Sequence, residues 1–271
     1  MKTKKNTLTV GIPFYQKTNV EYFDIAIKSI INQTVAADNI HLIQDGSVGP
    51  ELSKLINKYI KKYNFIQLLP LPKNGLPHAL NQSIKKSNTE FYARMDADDI
   101  SIKSRFEEQL SYLKDNPKVE ILGSWAYEFE SDHLNESLYL NKTPKDKKTI
   151  ENYFHYRNPL IHPSIVFRKK VFNKIGFYNE NFFTDQDLEL WSRALRDNIK
   201  IYNLQKPLIY LRTENRLKRR SQLSAIKRQI RIRYSYNTCS FKFNFLKLAA
   251  ILLRLLPISV SDWCYKNLRN L

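Results

Sequence analysis

The chain has 271 residues, 42% of them hydrophobic and 13% aromatic, a globular composition with length for one large α/β domain or two modest ones. Cys239 and Cys264 are its only cysteines, which excludes a disulfide scaffold or a cysteine zinc site and fits a reducing compartment. The net charge of +18 is uneven: from Lys206 onward fifteen Lys and Arg face two acids, net +13, against +5 in the first 205 residues. An arm this basic expects an anionic surface, whether nucleic acid, membrane lipid or a phosphate-bearing substrate.

At the start, a basic stretch over 1–7 leads into an apolar segment, 8–12, too short for a signal peptide, so no secretion is expected. Residues 8–12 read as a buried strand ended by Pro13. Thr18-Asn19-Val20-Glu21 has the pattern of a capping box, followed by a helix with Phe23, Ile27, Ile30 and Ile31 on one face. A second strand over 40–44 follows, then a helix over 52–63 with Leu52, Leu55, Ile56 and Tyr59 inward, and a third strand over 65–69. A helix over 76–87 precedes a strand over 90–95. Strands alternating with helices predict an α/β fold with a mostly parallel twisted sheet and helices on both faces. Ligands of such sheets bind beyond the carboxyl ends of the strands, where Tyr15, Asp45-Gly46-Ser47, Lys73-Asn74-Gly75 and Asp96-Ala97-Asp98 would gather.

The run Glu90 to Asp99 carries the most chemistry. Phe91-Tyr92-Ala93 leads through Arg94 and Met95 into Asp96, Asp98 and Asp99, three carboxylates where a buried strand ends. Like charges this close repel, and a divalent cation is the simplest offset; Asp-x-Asp spacing lets two carboxylates reach one Mg²⁺ or Mn²⁺ that also takes phosphate oxygens. The alternative is a solvated acidic turn. With six glycines and neither G-x-G-x-x-G nor G-x-x-x-x-G-K-[ST], the chain lacks the signatures of a dinucleotide-binding Rossmann site and a P-loop.

In order along the chain, Val10 to Tyr15, Ser29 to Thr34, Asp45-Gly46-Ser47, Asn74 to Asn81 and Arg94 to Asp99 resemble the family-two glycosyltransferases of the GT-A fold. His162-Pro163-Ser164, Gly176 to Tyr178, Gln186 to Trp191 and Tyr210-Leu211-Arg212 extend the resemblance over roughly residues 8 to 213. It implies transfer of a sugar from a nucleotide donor, a UDP-sugar by expectation, to an acceptor hydroxyl with inversion, in cell-surface polysaccharide synthesis. The implied catalytic domain is 1–213, its nucleotide-binding half about 1–100 and its acceptor-binding half about 101–213, and the implied cofactor is Mn²⁺ or Mg²⁺.

The resemblance also assigns residues. Asp45 would contact the nucleotide base, although Gln44 stands where the family more often has a second acid. Pro13, Tyr15, Lys73, Asn74, Arg94 and Asp96 complete the donor-binding set, with Lys73 and Arg94 as diphosphate or base contacts or else solvated surface charges. Asp96 and Asp98 match the metal-binding pair, Asp98 as the direct ligand and Asp96 nearer the ribose; Asp99 reads as a helix-initiating acid, ahead of a Ser104–Glu107 capping box and a helix bearing Phe106, Leu110 and Leu113. Asp187 is the candidate general base, the alternative being a third-position acid in a helix over 185–197 capped by Thr184. Trp191 would stack on the acceptor sugar or sit in the core, and His162 would ligate metal or hold an acceptor hydroxyl, or be a hydrogen-bonded edge residue.

Residues 214–271 read as a basic, amphipathic helical region. Arg216, Lys218, Arg219, Arg220, Lys227, Arg228, Arg231 and Arg233 run alongside Leu223, Ile226 and Ile230, and an apolar stretch from Phe241 to Leu256 is broken by Lys247 and Arg254. It falls short of the roughly twenty apolar residues of a spanning helix. The expected partner is an anionic membrane at the cytoplasmic face, where a glycan or lipid-linked saccharide acceptor would be met; a helical hairpin packed on the catalytic domain is the alternative. A nucleotidylyltransferase, or a nucleic-acid-binding protein using the basic tail, remain as other readings; no nucleic-acid motif is present.

Overall fold

The computed structural model describes residues 7–130, 138–213 and 223–255. The first half alternates as expected: β1 (Leu8–Tyr15), α1 (Val20–Ile31), β2 (Asn39–Asp45), α2 (Pro50–Lys62), β3 (Ile66–Leu71), α3 (Leu76–Lys86) and β4 (Phe91–Arg94). The second half contains β5 (Ile100–Ser101), α4 (Arg105–Asp115), β6 (Ile121–Phe129), β7 (Tyr139–Asn141), α5 (Lys147–Phe154), β8 (Val166–Arg168), α6 (Phe172–Ile175), α7 (Gln186–Arg196) and β9 (Ile201–Arg212). Two further helices follow, α8 (Leu223–Ser235) and α9 (Phe241–Leu252).

One sheet runs in the order β3-β2-β1-β4-β8-β6-β9-β5, with β7 on the edge of β6. The strands β1 to β4 pair in parallel, as do β6 and β9, whereas β8 is antiparallel to both β4 and β6. Period-two alternation splits the strand side chains between two apolar layers. Leu8, Val10, Ile12, Leu42, Phe91 and Ala93 face α1, α2 and α4, while Ile43, Leu69, Tyr92 and Phe167 face α3, α5, α6 and α7. Gly11 is required for close approach: a Cβ there would collide with the buried Tyr92 hydroxyl, which donates to Ser83 at 2.8 Å.

Several local expectations change. β1 continues through Pro13 to Tyr15. The Gly11 carbonyl accepts Met95 N–H, so the odd-numbered residues turn their backbone toward β4; the ladder to β4 ends at Gly11, and Pro13 therefore forfeits no bond. The α1 cap is Asn19, whose side chain accepts from the N–H groups of Glu21 and Tyr22, while Thr18 accepts from Tyr15 N–H. At α4 the Ser104–Glu107 box does not form: Ser104 donates to Glu108, and Glu107 accepts from Thr34.

The C-terminal helices pack on the domain. On α8 the inward residues are Ile226, Gln229, Ile232 and Arg233, so the basic Arg233 leaves the polar side expected of it, while Ile230 is exposed. Arg216, Lys218, Arg219, Arg220 and Leu256 lie outside the described residues.

Candidate active site

Strand register assembles one rim of the site. β1 and β2 end together, placing Tyr15 beside Asp45. The Asp45 carboxylate accepts the N–H of Asn74 at 2.8 Å and of Gly75 at 3.1 Å, drawing the Lys73–Asn74–Gly75 loop against it. Gly75 has φ of 84°, a left-handed conformation that suits glycine, and it opens α3. Asp45, Tyr15, Lys73 and Asn74 thus come together, with Asp45 committed in part to backbone N–H groups.

The acidic run forms the next part of the rim. Asp96, Asp98 and Asp99 each place one carboxylate oxygen within 4.8 Å of the others. Behind them Arg94 is buried, one terminal nitrogen paired with Asp96, while its Nε and other terminal nitrogen have no hydrogen-bond partner among the described residues. Arg94 is therefore no solvated surface charge. Arg105, fully buried beneath it, donates to the Arg94 carbonyl at 3.0 Å and to Gln109 at 3.0 Å; burial pushes its pKa down to about 9. Asp99 is not a helix initiator, because α4 starts at Arg105; its Oδ1 accepts Arg212 N–H at 2.9 Å and its Oδ2 is buried without a partner among the described residues. Desolvation, then the Asp96 charge, pushes the Asp98 carboxyl up to about 6 although it stands at the open mouth. Asp99 is raised well above the usual range by burial and by both neighbouring carboxylates.

Asp187 lies in the first turn of α7, within the electrostatic reach of Arg94. Asn158 Nδ2 donates to its Oδ2 at 2.6 Å. Desolvation and the charge of Asp185 raise the Asp187 pKa, and the Asn158 bond opposes them. Thr184 is not the cap: the position before the helix is Asp185, in the left-handed region with φ of 60°, and its side chain caps no α7 N–H. His162, buried in a short 3₁₀ turn, meets Tyr178 Oη through Nε2 at 2.7 Å, and burial holds its pKa well below the ordinary value. His162 is thus internal rather than at an edge, and not part of the carboxylate cluster. Trp191 is 0% exposed, stacked on Phe167 at 6.0 Å and met edge-on by His162 at 6.0 Å, so the core reading of Trp191 describes its place and its ring offers no open face to a sugar.

Arg94 links the two sides. Its positive charge acts on Asp98 and Asp99 and also on Asp187, His162 and Tyr178. Four contributors escaped the sequence reading: Asn158, Asp185, Arg105 and Arg212. Arg212 carried a signal, since it closes the Tyr210-Leu211-Arg212 motif. Its guanidinium lies over the Tyr22 and Phe129 rings, at 3.6 and 4.5 Å from their centroids, and its Nε donates to the Asp98 carbonyl at 3.3 Å. Asn158 carried none, being an Asn-Pro in a loop.

With that geometry in place, the relatives of the chain are informative. Residues 9–176 match the family described as Glycosyl transferase family 2. The chain is 31% identical over 265 residues to the Escherichia coli UDP-Gal:alpha-D-GlcNAc-diphosphoundecaprenol beta-1,3-galactosyltransferase, covering 96% of this chain and 95% of that one. It is 29% identical to the amylovoran biosynthesis glycosyltransferase AmsE of Erwinia amylovora, covering 97% and 99%. Among solved structures, S. aureus TarS 1-349 in complex with UDP-GlcNAc superimposes with a TM-score of 0.68 at 15% identity, over 92% of this chain and 72% of that one. The mannosyltransferase PcManGT from Pyrobaculum calidifontis, in complex with GDP-Man and Mn²⁺, does so with a TM-score of 0.62 at 12% identity, over 98% and 80%. The chain belongs to glycosyl transferase family 2 and has the GT-A fold.

Proposed function

We propose that the protein is an inverting, metal-dependent glycosyltransferase that moves a sugar from a UDP-sugar to a hydroxyl of a glycan or lipid-linked saccharide in the synthesis of a cell-surface polysaccharide. The observation that carries this reading is the arrangement of the Asp96–Asp98–Asp99 cluster and Asp187 about one buried Arg94 at the strand ends. The E. coli relative, named for a UDP-Gal donor and a diphosphoundecaprenol-linked acceptor, supports both substrate classes. Neither a nucleotidylyltransferase nor a nucleic-acid-binding protein finds support among the relatives.

The acidic cluster fits a hard divalent cation. Three carboxylate oxygens converge, Asp98 is raised in pKa by burial and by Asp96, Asp99 by burial and by Asp96 and Asp98, and Asp99 Oδ2 lacks a partner among the described residues. Asp98 and Asp96 would hold Mn²⁺ or Mg²⁺, which would supply charge neutralisation for the departing diphosphate. Arg94 keeps Asp96 oriented, and Asp45, Tyr15, Pro13, Lys73 and Asn74 provide the nucleotide side. Across the site, Asp187 takes the acceptor hydroxyl proton as the oxygen attacks the anomeric carbon and the bond to the diphosphate breaks. A carboxylate raised above its ordinary pKa is a better base for that step, typically worth about 10²–10⁴-fold.

The proposed catalytic unit is residues 1–213, with the region beyond it docking the enzyme on the anionic cytoplasmic face of a membrane. Phe241, Phe245, Leu248 and Leu252, at i, i+4, i+7 and i+11 on α9, are 89%, 63%, 49% and 49% exposed. Lys227, Arg231 and Lys242 are exposed on the same helical pair. No helix among the described residues is long and apolar enough to cross a membrane. A basic pair with an open apolar stripe suits an interfacial position, where a polyprenyl-linked acceptor is held.

Nucleotide release and product formation with the purified chain, a panel of UDP-sugars and a diphosphopolyprenyl-linked saccharide, in Mn²⁺, Mg²⁺ or EDTA, test the proposal. Turnover should require the metal. Full turnover in EDTA contradicts it.

A further inference from the structure

The Asn158–Asp187 pair spans two separate elements: Asn158 lies in the loop just past α5, and Asp187 in the first turn of α7. Helix α8 touches both. Arg233 donates through Nη1 to the Phe154 carbonyl at the end of α5, at 2.5 Å, and through Nε to Gln229 Oε1 at 2.9 Å. The Gln229 amide then donates to Asp185 Oδ1 at 2.8 Å, and Arg228 Nε lies 3.5 Å from Asp185 Oδ2. Gln229 and Arg233 are 1% and 2% exposed, so the inner part of this polar chain is shielded from water while Asp185 at its end is partly exposed, and Ile232 beside them belongs to an apolar layer of the domain. Asp185 is held in the left-handed region two residues before Asp187, a conformation that needs support from its surroundings. Because Gln229 accepts from Arg233, its amide is fixed with the nitrogen toward Asp185.

We propose that α8 is a positioning element for sugar transfer: the Arg233–Gln229–Asp185 relay holds the end of α5 and the start of α7 in register, and with them Asn158 against Asp187. The inference rests on the reading of Asp187 as general base. None of the relay residues reaches the reacting atoms; they set where the base stands. A displacement of the base by about an ångström costs on the order of 10²-fold in rate, while the donor side of the cleft, built from β1, β2 and α3, is untouched.

The test uses the full chain, with transfer kinetics in Mn²⁺ and UDP binding by calorimetry. Gln229→Glu sets a carboxylate against Asp185 and should lower kcat about tenfold or more while UDP affinity stays within about twofold. Adding Asp185→Asn reverses donor and acceptor, keeps the contact to Arg233, and should bring kcat back to within about threefold of the wild type. A lowered melting point with wild-type kcat in the folded fraction, or a double variant no better than Gln229→Glu, overturns the inference. Should Gln229→Glu not fold, Gln229→Met removes the donor without adding charge and should give the same split between kcat and UDP affinity. Asp187→Asn run in parallel separates the two readings: if it keeps full kcat the base assignment fails, whereas an inactive Asp187→Asn beside a fully active Gln229→Glu overturns the relay alone.

Discussion

Asn81 grips Tyr178 with both edges of one amide: its Nδ2 donates to the Tyr178 carbonyl and its Oδ1 accepts the Tyr178 N–H, each at 2.9 Å. Helix α3 of the donor side is thereby fastened to the segment whose Tyr178 hydroxyl meets His162. A second pair, His78 with Glu180 at 3.0 Å, and an Asn81 bond to Glu180 at 2.8 Å brace the same junction. This is what the Asn74 to Asn81 motif does structurally.

Asn81→Ala should therefore destabilise the protein by about 2–3 kcal/mol, because a buried N–H and a buried carbonyl lose their partners together. Urea denaturation should show a lower midpoint at unchanged slope. A midpoint within error of the wild type would contradict the buried-amide account.

The metal-free protein should carry a pH signature of Asp98. Its folded pKa is raised to about 6 by desolvation and by Asp96, against an ordinary 3.8. The folded state thus holds its proton more tightly than the unfolded state, so the associated stability is complete below about pH 4 and is lost as pH rises through about 6. Measured against Asp98→Asn, which carries no such charge, the wild type should lose stability progressively between about pH 4 and 7. Mn²⁺ at neutral pH should reverse the order, raising the melting point of the wild type and not of the variant. A pH-independent difference between the two would count against the carboxylate repulsion.

Much of the fold could be read from residues whose neighbours in sequence are also their neighbours in structure. The alternation of β1 to β4 with α1 to α3 followed from apolar spacing, and the acidic run stands at a strand end as the pattern required. The errors arise where a partner distant in sequence decides. Ser104 looked like a helix cap, yet Glu108 takes its hydroxyl and Thr34 takes Glu107. Arg105 and Gln109 of α4, which no sequence pattern singled out, are buried because Arg105 donates to the Arg94 carbonyl of β4 and Gln109 to the Ser164 carbonyl. On α8 the charge pattern hid the inner face, because Gln229 and Arg233 go inward to meet Asp185 and Phe154, while Ile230 goes outward. Asn158 was invisible for the same reason: its partner Asp187 is 29 residues on, and only the folded chain brings the loop past α5 to the start of α7.

Docking through α9 predicts co-sedimentation with liposomes that contain anionic lipid, weakening as salt rises, each nearby Lys or Arg being worth about 1 kcal/mol at such a surface. Phe245→Ser with Leu248→Ser removes two exposed apolar side chains without touching the inner face of α9, and should reduce binding while leaving the melting point unchanged. Equal binding to neutral vesicles, or none to either kind, would contradict the interfacial reading and leave α8 and α9 as a packed hairpin alone.

The most direct measurement of the central claim is the effect of Asp187→Asn on transfer, with donor affinity followed separately. A general base acts in the chemical step, so kcat should fall by about 10²-fold or more while the UDP-sugar dissociation constant in Mn²⁺ changes by no more than a few-fold. Turnover within about threefold of the wild type, accompanied only by a loss of stability of about 1 kcal/mol, is the pattern of an acid at a helix N-terminus and would contradict the account.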